Sequence, residues 1–342
     1  MSTQRSRPER SGFTRTSNWP GWPSASRGWT SYESTAIAVA IAIALFGLVR
    51  GIEDYPRPRP ATVLLIGIGF GLSIGSRILG GIAALYMTAP MLFLIWHDAR
   101  VGGLTSALKN LGCFALKLVP ALVLGIAIMA VIWPWSVTAP LNVFRAVEYF
   151  SHFFEKPWQE MFEGALVSVP EMPRSYVPTL FALKLPELFF VLSLAGVGGA
   201  LVQALHSSAP VKRRAALMLL AIAATLPIAI AIATRPAMYN GIRHFVFVLP
   251  LLAVMGGLAG AWLLERLRPW PEAAKLAAGL AMLAGVIAPV TDMIRLHPYQ
   301  YTHFNWIAGG IASAEDRFML DYWGLAFKEA AQDLRAHLTE NL

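Results

Sequence analysis

The sequence predicts an all-α, polytopic integral membrane protein, and three observations carry that prediction. The 342 residues are 56% hydrophobic and only 14% charged, with a mean hydropathy of +0.54. That leaves too little polar surface to coat a water-soluble globule of this size. The apolar residues gather in long runs, near the roughly 17–25 residues that a helix needs to cross a hydrocarbon core. Tryptophans stand where such runs end, at Trp96, Trp133, Trp135, Trp262 and Trp270, as expected of rings that favour the headgroup layer.

Taken in order, residues 1–34 carry Arg5, Arg7, Arg10, Arg15 and Arg27 against Glu9 and Glu33, with no apolar stretch. They read as a disordered polar leader and not as a signal peptide. About eight spans follow, at residues 35–49, 61–76, 78–96, 118–133, 188–206, 215–234, 245–264 and 276–291. The stretch 55–60 (YPRPRP) is a stiff loop between the first two. Gly67, Gly71 and Gly75 recur every fourth residue on the second span. They read as a helix-packing face and not as a phosphate cradle, because no strand precedes them.

Residues 136–186 form a long outer loop. Leu141, Phe144, Val147, Phe150 and Phe154 stand near helical spacing there, with Tyr149, Phe153, Trp158 and Phe162 around them. Such a segment is expected to lie flat on the membrane surface. Residues 35–293 thus make the membrane module, and 294–342 an extracytoplasmic tail with an amphipathic helix at 325–338.

Orientation follows from charge. Lys212, Arg213 and Arg214 lie in one short connection, and Arg266, Arg268 and Lys275 in another two spans later, which assigns both to the cytoplasm. The loop with Asp98, Arg100 and Lys109 then falls inside. The same rule places the arginine-rich leader outside, which conflicts with the positive-inside bias and suggests a further span ahead of it.

Several classes are excluded. The excess of 28 Lys and Arg over 20 Asp and Glu sits in short clusters between apolar runs, with no continuous basic face for nucleic acid. One cysteine, Cys113, makes no disulfide framework or zinc site. Seven scattered histidines show no ligand spacing, so neither a metal nor another cofactor is expected.

Two places concentrate chemistry. Arg77 is the single charge in residues 61–96, and an ionisable group near the membrane is a functional candidate, although an arginine can also simply snorkel to the headgroups. Residues 235–243 (RPAMYNGIR), followed by His244, put two arginines, Tyr239 and Asn240 at one outer helix mouth. Arginine forks suit phosphate oxygens, while the bland alternative is contact with anionic lipid. The outer carboxylates Glu148, Glu155, Glu160, Glu163, Glu171, Asp292, Glu315, Asp316 and Asp321 form no recognisable acid and base pair.

Four stretches together resemble the bacterial members of glycosyltransferase family 39, GT-C-fold relatives of protein mannosyltransferases and aminoarabinose transferases. They are residues 71–81 (GLSIGSRILGG), 173–187 (PRSYVPTLFALKLPE), 239–250 (YNGIRHFVFVLP) and 297–324, with HPYQYTHFN and FMLDYWG. The resemblance covers most of the chain from about Tyr32. It implies a GT-C-like fold in the bacterial cytoplasmic (inner) membrane, and a polyprenyl-phosphate-linked sugar as partner, transferred to an acceptor at the outer face. It implies that Arg77 and Arg243 hold the donor phosphate with His244, Tyr239 and Asn240 near it, and that Arg174 and Tyr176 belong to a loop close to the site. The family's catalytic aspartate stands in the first outer loop as general base. Here no aspartate precedes Asp54, which falls in an inner loop. The catalytic residue is therefore unassigned, and the expectation is of a chain lacking its first span. A transporter or flippase for an anionic lipid-linked substrate, or a catalytically silent membrane scaffold, remains the alternative.

Overall fold

The computed structural model describes residues 29–151, 158–206, 208–322 and 324–341. Helix α1 (Trp29–Asp54) antiparallels α2 (Pro60–Ser76), and a 3-10 turn (Ile78–Ile82) with the short α3 (Ala83–Tyr86) leads into α4 (Thr88–Ile132). Then come α5 (Trp135–Thr138), α6 (Asn142–Ser151), strands β1 (Gln159–Phe162) and β2 (Ala165–Ser168), and α7 (Tyr176–Lys184). The remaining long helices are α8 (Glu187–His206), α9 (Val211–Thr234), α10 (Leu249–Leu267) and α11 (Glu272–Arg295), followed by α12 (Gly310–Ala314) and α13 (Phe327–Asn341).

Among the described residues, six runs are long and apolar enough to cross a membrane: Thr35–Asp54, Ile78–Ile132, Glu187–His206, Val211–Thr234, Gly241–Leu267 and Glu272–Arg295. Pro60–Ser76 is a shorter apolar helix. The chain is a helical integral membrane protein. Helix α11 makes the physical case most simply: all its residues are partly or fully exposed, Leu276, Leu280, Leu283, Val286, Ile287, Val290 and Ile294 among them. A helix apolar on every side is stable when lipid surrounds it.

The expected spans 78–96 and 118–133 share the run Ile78–Ile132, to within one residue. That run is not straight. Gly103 has φ 80° and ψ 165°, a backbone that breaks the helical ladder. Asn110 Nδ2 donates to Asp98 Oδ2 at 2.8 Å, whereas residues that far apart on an unbroken helix stand about 18 Å apart. The chain therefore doubles back at Gly103. The second half of α4 runs beside α2, where small residues let backbones close up. A Cβ on Gly71 would stand 2.8 Å from the Gly125 carbonyl oxygen, and one on Gly67 2.8 Å from that of Ala121. The glycine face read from spacing is thus a packing face.

Helices α8 and α10 meet through the same device, with Ser193 Oγ donating to the Leu252 carbonyl at 2.9 Å. The loops carrying Lys212 and Tyr55 share one end of the bundle, since Lys212 Nζ donates to the Glu53 and Tyr55 carbonyls at 2.8 and 2.7 Å. Tyr55 also donates to Asp98 at 3.0 Å. This is the end that the basic loops assign to the cytoplasm.

The opposite end carries a cap that the sequence reading describes only in part. Phe162 was expected beside a surface-lying helix; it stands instead in the β1–β2 hairpin, 3% exposed. Glu163 and Gly164 both have positive φ, 51° and 82°, the backbone of a two-residue turn whose twist suits antiparallel strands. Tail residues complete the layer: Gly164 N donates to the Arg317 carbonyl at 3.0 Å and Met319 N to that of Met161 at 3.1 Å. The rings of Phe162, Tyr176, Phe304 and Phe318 pack beneath it, Phe304 stacked on Phe318 and Phe162 edge-on to Phe318 and tilted against Tyr176. The amphipathic α6 exposes Phe144 and Val147, while Phe153 and Phe154 lie outside the described residues. Helix α1 begins six residues before the expected boundary at 35, because backbone hydrogen bonds extend through the polar residues ahead of the apolar run. The rest of the leader, residues 1–28, lies outside the described residues.

Candidate functional site

Arg77 terminates α2. Its φ of −153° and ψ of 139° turn the chain out of the helix, while its N–H still donates to the Ser73 carbonyl at 3.1 Å. Gly80 makes the turn possible: a Cβ there would stand 2.2 Å from the Ser73 carbonyl oxygen. Arg77 is thereby placed at the far end of the bundle from the Tyr55 loop.

The segment 235–244 divides its polar residues between two tasks. Arg235 ends α9 in a left-handed conformation and donates to the carbonyls of Glu171 and Met172, at 3.1 Å and 3.2 Å from Nη2. It ties the outer loop to the helix bundle. Asn240 and Gly241 are both left-handed, φ 57° and 71°, just before the 3-10 turn Gly241–Val248. Asparagine and glycine are the residues that tolerate this backbone.

Glu160 holds that turn. The carboxylate is 2% exposed. Oε2 accepts from Asn240 N at 2.7 Å, Oε1 accepts from the Tyr176 hydroxyl at 2.8 Å, and Gly241 N donates to the Tyr176 oxygen at 3.0 Å. Burial pushes the Glu160 carboxyl above the usual carboxylate range, opposed by the N–H groups of Asn240 and Gly241, the Tyr176 hydroxyl and the charge of Arg243. Burial, followed by the charge of Glu160, pushes the Tyr176 phenol upward as well.

Arg243 follows one turn later, between aromatic rings. Its guanidinium carbon lies 4.6 Å from the Tyr239 ring centre and 5.8 Å from that of Tyr322, within reach of a cation–π attraction. With the Asn240 amide oxygen turned toward it, both Nη atoms donate to that oxygen at 3.3 Å; the opposite rotamer would set N–H against N–H. The His244 ring packs edge-on to Tyr239, 4.8 Å between centroids. Arg77, Arg243 and His244, which come from opposite halves of the chain, line one small cavity together with Ile37, Leu79, Val246 and Phe247. Its volume, about 10 Å³, is that of a single water.

Lys184, at the end of α7, borders the same turn, its Cε 3.6 Å from where a Gly241 Cβ would stand. Its ammonium lies 4.0 Å from the Phe304 ring centre and donates to the Tyr301 and His303 carbonyls at 3.3 and 3.4 Å. Burial pulls it down to about 8. His303 is 7% exposed, both ring nitrogens lack a hydrogen-bond partner among the described residues, and burial lowers its pKa. Tyr301 donates to Asp321 at 2.5 Å and its ring meets that of Tyr322 at 5.4 Å, so the tail forms part of the wall around Arg243.

Of the residues singled out from sequence, Arg77, Arg243 and His244 line one cavity, and Tyr239, Asn240 and Tyr176 surround Arg243 at one or two contacts' remove. Arg174 is exposed on the outer loop and does not line the cavity. Sequence reasoning passed over Glu160, Lys184 and Tyr322 as site residues. Glu160 stood among the outer carboxylates without a partner, because the residues it binds lie 16 and 80 positions away. Among the described residues no cluster of three or more His, Cys, Asp or Glu is arranged to hold a metal ion. No protein-family model matches the chain, and neither a curated protein nor a solved structure does.

Proposed function

We propose that the protein is a GT-C-like membrane glycosyltransferase related to family 39, with eight crossings, that binds a polyprenyl-phosphate-linked sugar and transfers the sugar to an acceptor at its far end. One observation carries the reading: Arg77 at the end of α2 and Arg243 with His244 in the 3-10 turn Gly241–Val248 converge on a cavity whose other walls are the apolar side chains of Ile37, Leu79, Val246 and Phe247. Phosphate oxygens match the arginine forks, and a lipid chain matches the apolar walls and the exposed helix surfaces beside them. In such a transfer the arginines stabilise charge growing on the phosphate leaving group. The doubling back at Gly103 and the short α2 support the count of eight.

A second reading is a carrier or flippase that moves the same lipid without cleaving it. The state of Glu160 favours it: the carboxylate is 2% exposed with both oxygens accepting hydrogen bonds from the protein, so an acceptor hydroxyl does not reach it as a general base requires. A polyprenyl-phosphate donor labelled in its sugar separates the two. Release or transfer of labelled sugar by the protein in proteoliposomes supports the transferase; transbilayer movement of intact donor supports the carrier; neither, with no donor bound, removes both.

A further inference from the structure

We infer that Glu160 is the positioning residue of the arginine site: through the left-handed turn at Asn240 and Gly241 it sets where the Arg243 guanidinium points. The inference takes its purpose from the phosphate reading above, but its evidence and its test are independent of any ligand.

The argument begins with a carboxylate buried in an outer hairpin. Burying a charge is expensive unless hydrogen bonds and opposite charge surround it. Glu160 is surrounded, and its partners come from elements that are otherwise separate: the Tyr176 hydroxyl on α7 and the backbone N–H of Asn240, with the Gly241 N–H donating in turn to the Tyr176 oxygen. Of the two successive N–H groups in that left-handed stretch, Asn240's donates to the Glu160 carboxylate and Gly241's to the Tyr176 oxygen, so carboxylate and phenol hold the turn together. Asn240 then acts in two directions. Its N–H donates to Glu160, and with its amide turned so that the oxygen faces Arg243, the orientation that avoids setting N–H against N–H, that oxygen accepts from both Nη atoms at 3.3 Å. Glu160, Asn240 and Arg243 thus form one chain of hydrogen bonds, from the buried hairpin to the cavity shared with Arg77.

A residue that merely holds the loop would have a different signature. The outer loop is tied to the bundle separately, by Arg235 donating to the Glu171 and Met172 carbonyls. Loosening the loop frees Arg235 as well as Arg243; misplacing the turn frees Arg243 alone.

The test is labelling of arginines with phenylglyoxal in the full chain in nanodiscs, read residue by residue by mass spectrometry. Glu160→Gln conserves volume but removes the charge and leaves one acceptor oxygen where the carboxylate has two, so the Asn240 N–H and the Tyr176 hydroxyl can no longer both donate to it. We expect Arg243 to label about three- to tenfold faster in this variant, the scale of one freed hydrogen bond. Arg235, and Arg59 at the other end of the bundle, keep their rates. Asn240→Gly keeps the left-handed backbone and removes only the acceptor; it should reproduce the effect, and adding Glu160→Gln to it should change the Arg243 rate no further. An unchanged Arg243 rate in Glu160→Gln overturns the inference, as does an equal acceleration of Arg235. Failure of polyprenyl phosphate to bind the wild-type chain would sink the phosphate reading and leave these labelling rates unaffected.

Discussion

Asn110 donates a hydrogen bond to Asp98 across the fold-back at Gly103, at 2.8 Å, and this contact joins the two halves of the apolar run Ile78–Ile132. Gly103 supplies the backbone for it, at φ 80° and ψ 165°. A Cβ there meets nothing within 4 Å, so the effect of a side chain is purely conformational. We expect Gly103→Ala to destabilise the protein by about 1–3 kcal/mol. Gly112→Ala, with equally open space but inside α4, should stabilise by about 0.5–1 kcal/mol. Reversible unfolding in mixed micelles measures both, and equal effects would contradict the strained backbone at Gly103.

Packing of α2 on α4 makes a second prediction. A Cβ on Gly71 would approach the Ile128 Cβ at 2.7 Å and the Gly125 carbonyl oxygen at 2.8 Å. Backbone cannot step aside as a flexible side chain does, so Gly71→Ala should destabilise by about 1–3 kcal/mol. Gly279→Ala on α11, with nothing in reach, is the control that should unfold like wild type or later.

The arginine site predicts a ligand effect. Arg243→Ala should weaken binding of a polyprenyl-phosphate donor by roughly ten- to a hundredfold, the scale of a lost charged hydrogen bond. Arg266, at the C-terminal end of α10 with its guanidinium over the Trp262 ring, should be replaceable by alanine without effect. Binding in nanodiscs decides it, and equal losses for the two variants would remove the phosphate assignment.

Lys184 gives a pH dependence with a definite sign. Its folded value is pulled down to about 8 by burial, whereas an unfolded lysine titrates near 10.4. Between about 8 and 10.4 the unfolded chain holds more protons than the folded one, so this group's contribution to stability rises with pH across that window. Lys184→Met, which retains contact with Phe304, should lose the rise, a difference of roughly 1–3 kcal/mol between the ends of the window. Thermal unfolding of both proteins from pH 7 to 10 measures it; parallel curves would show that Lys184 is not buried as an ammonium.

How much of this was legible depends on the range of the forces involved. The apolar runs can be read from single residues, because lipid demands a continuous apolar stretch of fixed length. Arg77 and Arg243 can be read because a lone charge beside such a run is conspicuous. The hairpin at Glu163–Gly164 could not, since its short strands are stabilised by tail residues Arg317 and Met319, far along the chain. Arg174, promising by its motif, is exposed and does not line the cavity, because exposure is set by how the outer loop packs and not by neighbouring residues.

What the sequence determined by itself is the helical membrane architecture and the candidate arginines, properties set by local composition against a slab of hydrocarbon. Tertiary structure alone decided that Arg77 and Arg243 share one cavity, that Tyr322 from the tail walls it, and that Glu160 fills the turn beside it. Those are contacts between residues distant in the chain, and they form only when packed helices and a folded cap bring the backbones within hydrogen-bonding reach.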